Sequence, residues 1–250
     1  MALKKAPKNN HLKVRPGKKP GKKPGEKPGK APGRGRQPAT RTPAATLARY
    51  HHGDLHSALL AAAERVLERD GLQGLTLRAA AREAGVSHAA PAHHFGDLTG
   101  LLSELAAVGF RKFNDTIAKA RAADPLPQAA FDSTGEAYVR FALAHPGLFQ
   151  LMFRGERLDM QRPALQEALT ASFRNFAGAV GAMRHESVNT TALSLPQAAD
   201  MVRAWSMVHG FALLAQHGRL NPILGRLPPG TDVIALLRAV LVSKTPFPHV

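Results

Sequence analysis

The sequence predicts an all-α protein that is preceded by a basic tail. Three observations support this prediction. Apolar residues recur at helical spacing from about residue 54 onwards, and no convincing run alternates apolar and polar residues as a strand would. The first 49 residues contain 15 basic residues and 1 acidic residue. Residues 76–95 read as a helix, a turn and a second helix.

Residues 1–49 are a segment of low complexity, in which a PGKK-type motif repeats from Pro16 onwards. Proline and glycine at this density cannot continue a helix, and the few apolar side chains cannot form a core. We therefore expect a disordered Lys/Pro/Gly-rich tail. It either clamps DNA phosphates without regard to sequence or only keeps the protein soluble. No lipidation motif or apolar anchor favours a membrane contact.

The first predicted helix begins near Asp54 and ends near Asp70. Asp54 suits an N-cap, because its carboxylate favours the positive end of a helix. His52 and His56 have the i,i+4 spacing of a metal-binding pair, but no second group of ligands stands elsewhere in the sequence. We therefore predict no metal and no cofactor, and we expect His51 and His52 to donate to DNA phosphates.

The segment TLRAAAREAGVSHAAPAHHF, residues 76–95, has the signals of a helical hairpin. Thr76 is a suitable N-cap for the first helix, and Gly85 supplies the left-handed residue that ends it. Ser87 is the predicted cap of the second helix, which we expect to run to His94. Such a hairpin lays its second helix in the DNA major groove, although similar hairpins also occur for packing alone.

The sequence on both sides of the hairpin favours a DNA-binding domain. Residues 50–113 resemble the three-helix DNA-binding domain of the TetR family of bacterial transcriptional regulators. The matching residues are Ala61, Ala62, Ala63, Val66, Leu67, Gly71, Gly74, Thr76, Leu77, Arg78, Ala84, Gly85, Val86, Ser87, Phe95, Leu101 and Leu102.

This resemblance implies which residues contact DNA. The second hairpin helix carries no lysine or arginine, so histidines would donate to guanine or phosphate, and alanine methyls would contact thymine methyls. Ala92 and Leu98 stand where many members have Tyr and Lys that reach the backbone, so either operator binding is weak or the basic tail compensates. The predicted DNA-contacting residues are Thr76, Arg78, Ser87, His88, Ala89, Ala90, Ala92, His93, His94 and His52.

A long helix, Leu98–Ala122, is predicted to join the DNA-binding domain, residues 50–113, to a second all-α domain, residues 114–250. Further helical patterns cover residues 128–145, 146–153, 163–186, 197–217 and 231–243. Two segments, AYVRFALAHPGLFQLMF and WSMVHGFALL, resemble the C-terminal domain of a TetR subgroup. Its mark is a Trp-x-x-x-His-Gly signature, here Trp205, His209 and Gly210.

The resemblance implies that the second domain dimerises and holds a small apolar effector. Apolar aromatic and methionine side chains typically line such a site, but the same spacing is typical of a plain core. Trp205 and His209 lie one turn apart and either contact the effector or form a buried structural bond. The predicted effector-contacting residues are Phe149, Met152, Phe153, Phe173, Met201, Trp205 and His209.

The last predicted helix carries an apolar stripe at helical spacing. With the Trp205 helix it is predicted to supply half of a four-helix interface in a homodimer. The stripe consists of Val233, Leu236, Leu237, Val240 and Leu241.

We therefore predict a homodimeric regulator of the TetR type, a repressor that binds double-stranded DNA and is released by an effector. No P-loop, dinucleotide fingerprint or nucleophile–base pairing indicates an enzyme. The absence of cysteine and of long apolar runs fits a bacterial cytoplasmic, nucleoid-associated protein. The alternatives are a weakly specific architectural DNA binder dominated by the tail, and a sensing module that no longer holds operators.

Overall fold

The computed structural model describes residues 52–243, with side chains from Leu55 onwards, so the predicted tail lies outside the described residues. Every regular element in that range is helical, which confirms the all-α prediction. The helices are α1 His52–Gly74, α2 Leu77–Ala84, α3 Ala90–Phe95, α4 Leu98–Ala122, α5 Pro127–Ala144, α6 Pro146–Met152, α7 Pro163–Arg184, α8 Leu195–Gln216, α9 Asn221–Leu224 and α10 Val233–Val242, with a 3-10 helix at Gly155–Arg157.

Helix α1 begins earlier than predicted, and an additional turn follows its predicted end. It begins at His52, so Asp54 lies in the first turn and the prediction that Asp54 is the N-cap was wrong. Regular helix ends at Asp70 as predicted, because Gly71 adopts φ 68° and ψ −178°, and one further turn continues to Gly74. Its predicted inner stripe faces the core, with Leu59 fully buried.

Helix α2 has the predicted bounds, because both of its ends are fixed by local hydrogen bonds. Thr76 Oγ1 accepts from the Ala79 amide at 3.0 Å, which satisfies a donor in the first turn. Gly85 adopts φ 70° and ψ 30°, in the left-handed region that glycine reaches without steric cost. Its amide donates to Arg82 O at 3.2 Å and closes the helix.

Helix α3 begins two residues later than predicted. Ser87 is exposed and does not cap the helix with its side chain; the backbone from Ser87 to Ala89 forms a turn, and Ala89 is the N-cap. Pro91 explains the late start. It occupies the first turn of α3, where its missing N–H would have no intrahelical partner, and its ring fixes a helical φ.

Helix α4 begins at Leu98 and ends at Ala122, as predicted. Asp97 Oδ1 accepts from the Gly100 amide at 2.8 Å and caps its first turn. The helix runs unbroken past residue 113 and packs against α1 and α3 at one end and against α5, α6 and α7 along its length. It is therefore the shared element of the two predicted domains.

Helices α5, α6, α7, α8 and α10 begin and end within two residues of their predicted bounds, whereas the short helix α9 was not predicted. The apolar stripe on α10 packs against α5 of the same chain: Leu237 is fully buried, and Leu241 lies against Gly135. The other four stripe residues are half-buried, so the homodimer interface predicted for this stripe stays a prediction for them and is wrong only for Leu237. No described helix is both long enough and apolar enough to cross a membrane.

Candidate nucleic-acid interface and ligand cavity

The residues predicted to contact DNA lie on α2, the following turn and α3. Most of them are exposed, including Arg78, His88 and His93, whereas Ala90 and His94 are half-buried. The His94 ring lies 6.0 Å from the ring of His56 on α1, measured between centroids. The remaining exposed members are Thr76, Ser87, Ala89 and Ala92. His51 and the side chain of His52 lie outside the described residues.

Two arginines of α1 are bound to carboxylates and are not available for DNA phosphates. Arg65 and Arg69 on α1 both donate to Glu83 on α2, at 2.9 and 3.0 Å, and Arg69 also binds Asp70. Hydrogen bonds from the two arginines hold the pKa of Glu83 below its usual value. Arg78, in contrast, forms no ion pair with any described residue and lies in the first turn of α2.

A polar network at the end of α3 joins the hairpin of α2 and α3, which is predicted to read DNA and is called the DNA-reading hairpin below, to the rest of the described chain. Arg162 donates from Nε to Glu104 Oε1 at 3.0 Å and from Nη1 to the carbonyl oxygen of Phe95, the last residue of α3, at 3.3 Å. His56 on α1 donates to the other Glu104 oxygen at 2.6 Å. Arg162 is the N-cap of α7, so one side chain connects α7, α4 and α3.

Gly100 allows the close approach on which this network depends. A Cβ atom at position 100 would lie 2.0 Å from Phe95 O and 2.9 Å from Arg162 Nη1. Any larger residue would therefore push the first turn of α4 away from the end of α3.

Two further contacts join the predicted DNA-binding domain, residues 50–113, to the second predicted domain, which begins at residue 114 and is called the body below. The Glu68 carboxylate on α1 accepts from the amides of Gly147 and Leu148, at 3.0 and 2.9 Å, in the first turn of α6. The buried Ser103 hydroxyl on α4 accepts from the Asp159 amide at 2.8 Å. The loop between α6 and α7 and the start of α6 are thus both bound to the DNA-reading part of the chain.

A cavity of about 400 Å³ lies in the body, enclosed mainly by α4, α5, α7 and α8. On α4 its wall runs from Phe110 through Phe113 and Ile117 to Arg121, a length of about 16 Å at helical rise. The cavity is therefore elongated along α4. It opens to the surface between α7 and α8, where the wall residues Phe173, Val202 and Trp205 are 41%, 59% and 46% exposed.

The structure places four of the seven predicted effector-contacting residues on the cavity wall: Phe153, Phe173, Met201 and Trp205. The other three lie behind it. Phe149 and Met152 are buried in the core, and His209 touches the ring of Phe153 at 4.6 Å between centroids.

Helices α4 and α5 contribute to the wall, although none of the seven predicted effector-contacting residues lies on them, and two polar residues of α7 were not predicted either. Phe113 and Ile117 have core spacing, and spacing alone cannot distinguish a cavity wall from a filled core. The missed wall residues include Phe110, Phe113, Asn114, Ile117, Arg121, Phe131, Tyr138, Ser172 and Asn175. Arg121 offered the only signal, as a charged residue on the same helical face as these apolar residues.

Trp205 and His209 share a hydrogen-bonding partner that the sequence did not reveal. Trp205 Nε1 donates to the Tyr138 hydroxyl at 3.2 Å, and this hydroxyl donates to Nδ1 of neutral His209 at 2.8 Å. Burial lowers the pKa of His209 and raises that of Tyr138, so both groups stay uncharged near neutral pH. The network fixes the Trp205 ring at the cavity mouth.

Comparisons with known proteins agree with this architecture. Residues 59–105 match the profile of bacterial regulatory proteins of the tetR family, and residues 131–242 match that of the tetracyclin repressor-like C-terminal domain. A solved protein of unknown function from Rhodococcus sp. RHA1 is 35% identical; the match covers 78% of this chain and 95% of that chain, with a TM-score of 0.63. The chain belongs to the TetR family. It is a transcriptional regulator with a DNA-binding helix-turn-helix, as the sequence predicts.

More distant TetR-like structures share the fold. The TetR family regulator PfmR from Thermus thermophilus is 18% identical over 73% of this chain and 91% of its own, with a TM-score of 0.51. The transcriptional regulator FadR from Bacillus subtilis, solved in complex with stearoyl-CoA, is 15% identical over 74% and 95%, with a TM-score of 0.55. No protein with a curated description matches the sequence.

Proposed function

We propose that this TetR-family regulator is a homodimeric repressor, which a small ligand in the cavity releases from a palindromic DNA site. One observation carries the proposal. The helices that enclose the cavity are the helices that hold the DNA-reading hairpin: α7 begins at Arg162, which binds Phe95 O, and α4 carries both Glu104 and the wall residue Phe110.

The hairpin reads DNA through the exposed residues that the resemblance nominates. Ser87, His88 and Ala89 precede α3 rather than lying in it, so they enter the groove as a turn, and Ala92 and His93 follow on the helix. The free guanidinium of Arg78 contacts a phosphate near the start of α2.

A dimer provides the two-fold symmetry that a palindromic site requires. Exposed apolar side chains on one face of α8, namely Leu195, Val202 and Trp205, support an interface that includes this helix. The Trp-x-x-x-His-Gly subgroup is supported by the shared bond of Trp205 and His209 to Tyr138.

The first route from ligand to DNA runs through α6. Phe153 is the residue that ends α6; it lies on the cavity wall and contacts Phe110 and Trp205, at 6.1 and 6.2 Å between ring centroids. A ligand that displaces Phe153 shifts α6 along its axis. Because Glu68 binds the opposite end of α6, the shift moves α1.

The second route runs through α7, which contributes Leu169, Ser172 and Phe173 to the wall. When ligand spreads α7 from α4, Arg162 at the start of α7 moves relative to Glu104 and Phe95. The two reading hairpins of the dimer then no longer match the half-sites. The ligand acts only because its affinity differs between the conformation that binds DNA and the conformation that does not. Bound DNA must therefore lower the affinity for the ligand by the same factor by which the ligand lowers the affinity for DNA.

Selection of bound fragments from random double-stranded DNA by the full chain tests this proposal. A palindromic consensus, with half-sites about one duplex turn apart, is the expected result. Recovery of fragments without a consensus, combined with a steep loss of binding as salt rises, would instead identify an architectural DNA binder and overturn the proposal.

A further inference from the structure

We infer that the cavity takes an elongated amphiphile whose polar end is an anion, bound by Arg121 and Asn175. The inference deepens the proposed function, since it names the ligand class of the same cavity. Three observations support the inference: the shape of the cavity, the hydrogen bonds of its polar wall residues and the charge of the wall.

The shape favours a long, narrow ligand. Phe110, Phe113 and Ile117 follow one face of α4 and end at Arg121, about 16 Å from the first. The end nearest the hairpin is aromatic, because Phe110 and Phe153 meet there edge to face. An apolar tail fits this end, and the head then lies beside Arg121.

Most polar side chains on the wall already have hydrogen-bonding partners within the chain. The Ser172 hydroxyl donates to Asn114 Oδ1 at 2.7 Å, and Asn114 Nδ2 donates to the Ala168 carbonyl oxygen at 3.3 Å. The Thr134 hydroxyl donates to Ala130 O at 2.8 Å. Because these groups are already hydrogen-bonded, they do not determine where the polar end of a ligand binds.

Arg121 and Asn175 differ from the other polar wall residues. Arg121 is exposed and Asn175 is half-buried, and neither side chain forms a hydrogen bond or an ion pair within the described chain. The Arg121 guanidinium reaches across to α7, where it lies 4.0 Å from the position of a Cβ on Gly178. Asn175 lies one turn before Gly178, so the two donors share one end of the cavity.

The sign of the charge completes the inference. Arg121 is the one charged residue among the described wall residues, and no carboxylate offsets it there. A guanidinium binds a carboxylate or phosphate through two parallel hydrogen bonds, and an amide adds a third donor. An ammonium head at the same position meets an uncompensated like charge.

The test uses the full chain and three probes that share one apolar body: decanoate, decan-1-ol and decylamine. Trp205 is the only tryptophan of the sequence and lies on the cavity wall, so its fluorescence reports binding directly. We expect decanoate to bind about three- to tenfold more tightly than decan-1-ol, a factor limited by the exposure of Arg121, and decylamine to bind most weakly.

Four variants assign the preference to Arg121. Arg121→Gln removes the advantage of decanoate, Arg121→Lys keeps most of it, and Arg121→Glu reverses the order in favour of decylamine. Lys119→Gln is the matched control, because Lys119 is exposed on the same helix and does not line the cavity. It leaves all three affinities unchanged.

The outcomes separate this inference from the proposed function. Equal affinities for the three probes, or an unchanged order of affinities in Arg121→Glu, would overturn the preference for an anion. Either result would still be consistent with a ligand-binding cavity. Tryptophan emission that no probe changes contradicts the ligand cavity itself, and the inference fails with it.

Discussion

Arg162 is the side chain on which communication between the cavity and the DNA-reading hairpin depends most. We predict that Arg162→Ala reduces several-fold the factor by which decanoate weakens DNA binding. The affinity for decanoate itself stays within about twofold, because Arg162 does not line the cavity. The free energy of unfolding falls by about 1–3 kcal/mol, since Glu104, 15% exposed, loses its charged partner.

DNA titrations with and without decanoate measure the coupling factor for the Arg162 variant, and tryptophan fluorescence measures its decanoate affinity. Arg157→Ala is the control, because Arg157 is exposed and lies in the same loop. If decanoate weakened DNA binding of Arg162→Ala by the same factor as in wild type, the contacts of Arg162 with Phe95 and Glu104 would not couple the cavity to the hairpin.

His209 makes the stability of the body depend on pH. Burial lowers its pKa below the ordinary value of about 6.5, so the unfolded chain takes up a proton at a higher pH than the folded chain. The stability due to neutral His209 is therefore complete above about pH 6.5 and is lost as pH falls towards the lowered pKa. We predict that His209→Gln flattens this fall.

Urea unfolding at a series of pH values measures how steeply the free energy of unfolding falls with pH in wild type and in His209→Gln. His217→Gln is the control, since that ring is exposed and bonds a carbonyl oxygen of its own helix. If wild type and His209→Gln lose stability in parallel, protonation of His209 does not limit the acid stability of the body.

At the scale of elements, the contact between α3 and α4 permits no side chain at position 100. We predict that Gly100→Ala lowers the free energy of unfolding by at least about 1–3 kcal/mol, because its Cβ would overlap Phe95 O. DNA affinity falls with it, since the displaced α4 no longer supports the end of α3. Thermal unfolding and DNA titration check both effects.

The control for Gly100→Ala is Gly155→Ala, since a Cβ at position 155 meets nothing within 4 Å. Its stability should stay within about 0.5 kcal/mol of wild type. Comparable losses in both variants would mean that the close approach to Phe95 O does not explain the result.

The bounds of α2 and α3 show which parts of the fold the sequence could predict. Thr76 and Gly85 act on their own neighbours, so local rules placed α2 correctly. For α3, two local signals compete: Ser87 can cap a helix, but Pro91 suits a first turn, and tertiary packing of Pro91 and Phe95 decides for the later start. No local rule ranks these signals.

The candidate cavity could be predicted only in part, for a geometric reason. Periodicity identifies the inward face of a helix but not whether opposing faces touch, so Phe113 was read as core and Phe149 as wall. The contacts of Arg162 could not be predicted from the sequence either, because its partners Glu104 and Phe95 lie 58 and 67 residues away along the chain. Long-range pairs of this kind leave no spacing pattern.

At the scale of the whole molecule, the positive charge lies mainly in residues 1–49, whereas residues 50–110 contain 7 acidic and 4 basic residues. We predict that deletion of residues 1–44 lowers DNA affinity at least about tenfold at low salt and flattens its dependence on salt, because fewer counterions are released. DNA titrations of both chains over a range of salt concentrations measure the two slopes.

The difference between the full and shortened chains should vanish at high salt, where counterion release no longer favours binding. That convergence is the internal control, since a folding defect would persist. Equal affinity and equal slopes at low salt would mean that the tail serves solubility alone.

Coupling between the cavity and DNA is tested most directly by the affinity of the full chain for its selected palindromic DNA, measured by fluorescence anisotropy with and without saturating decanoate. We expect decanoate to raise the Kd for DNA by about 5- to 150-fold, while Trp205 emission reports an occupied cavity. An occupied cavity with an unchanged Kd for DNA would show that the cavity does not control DNA binding.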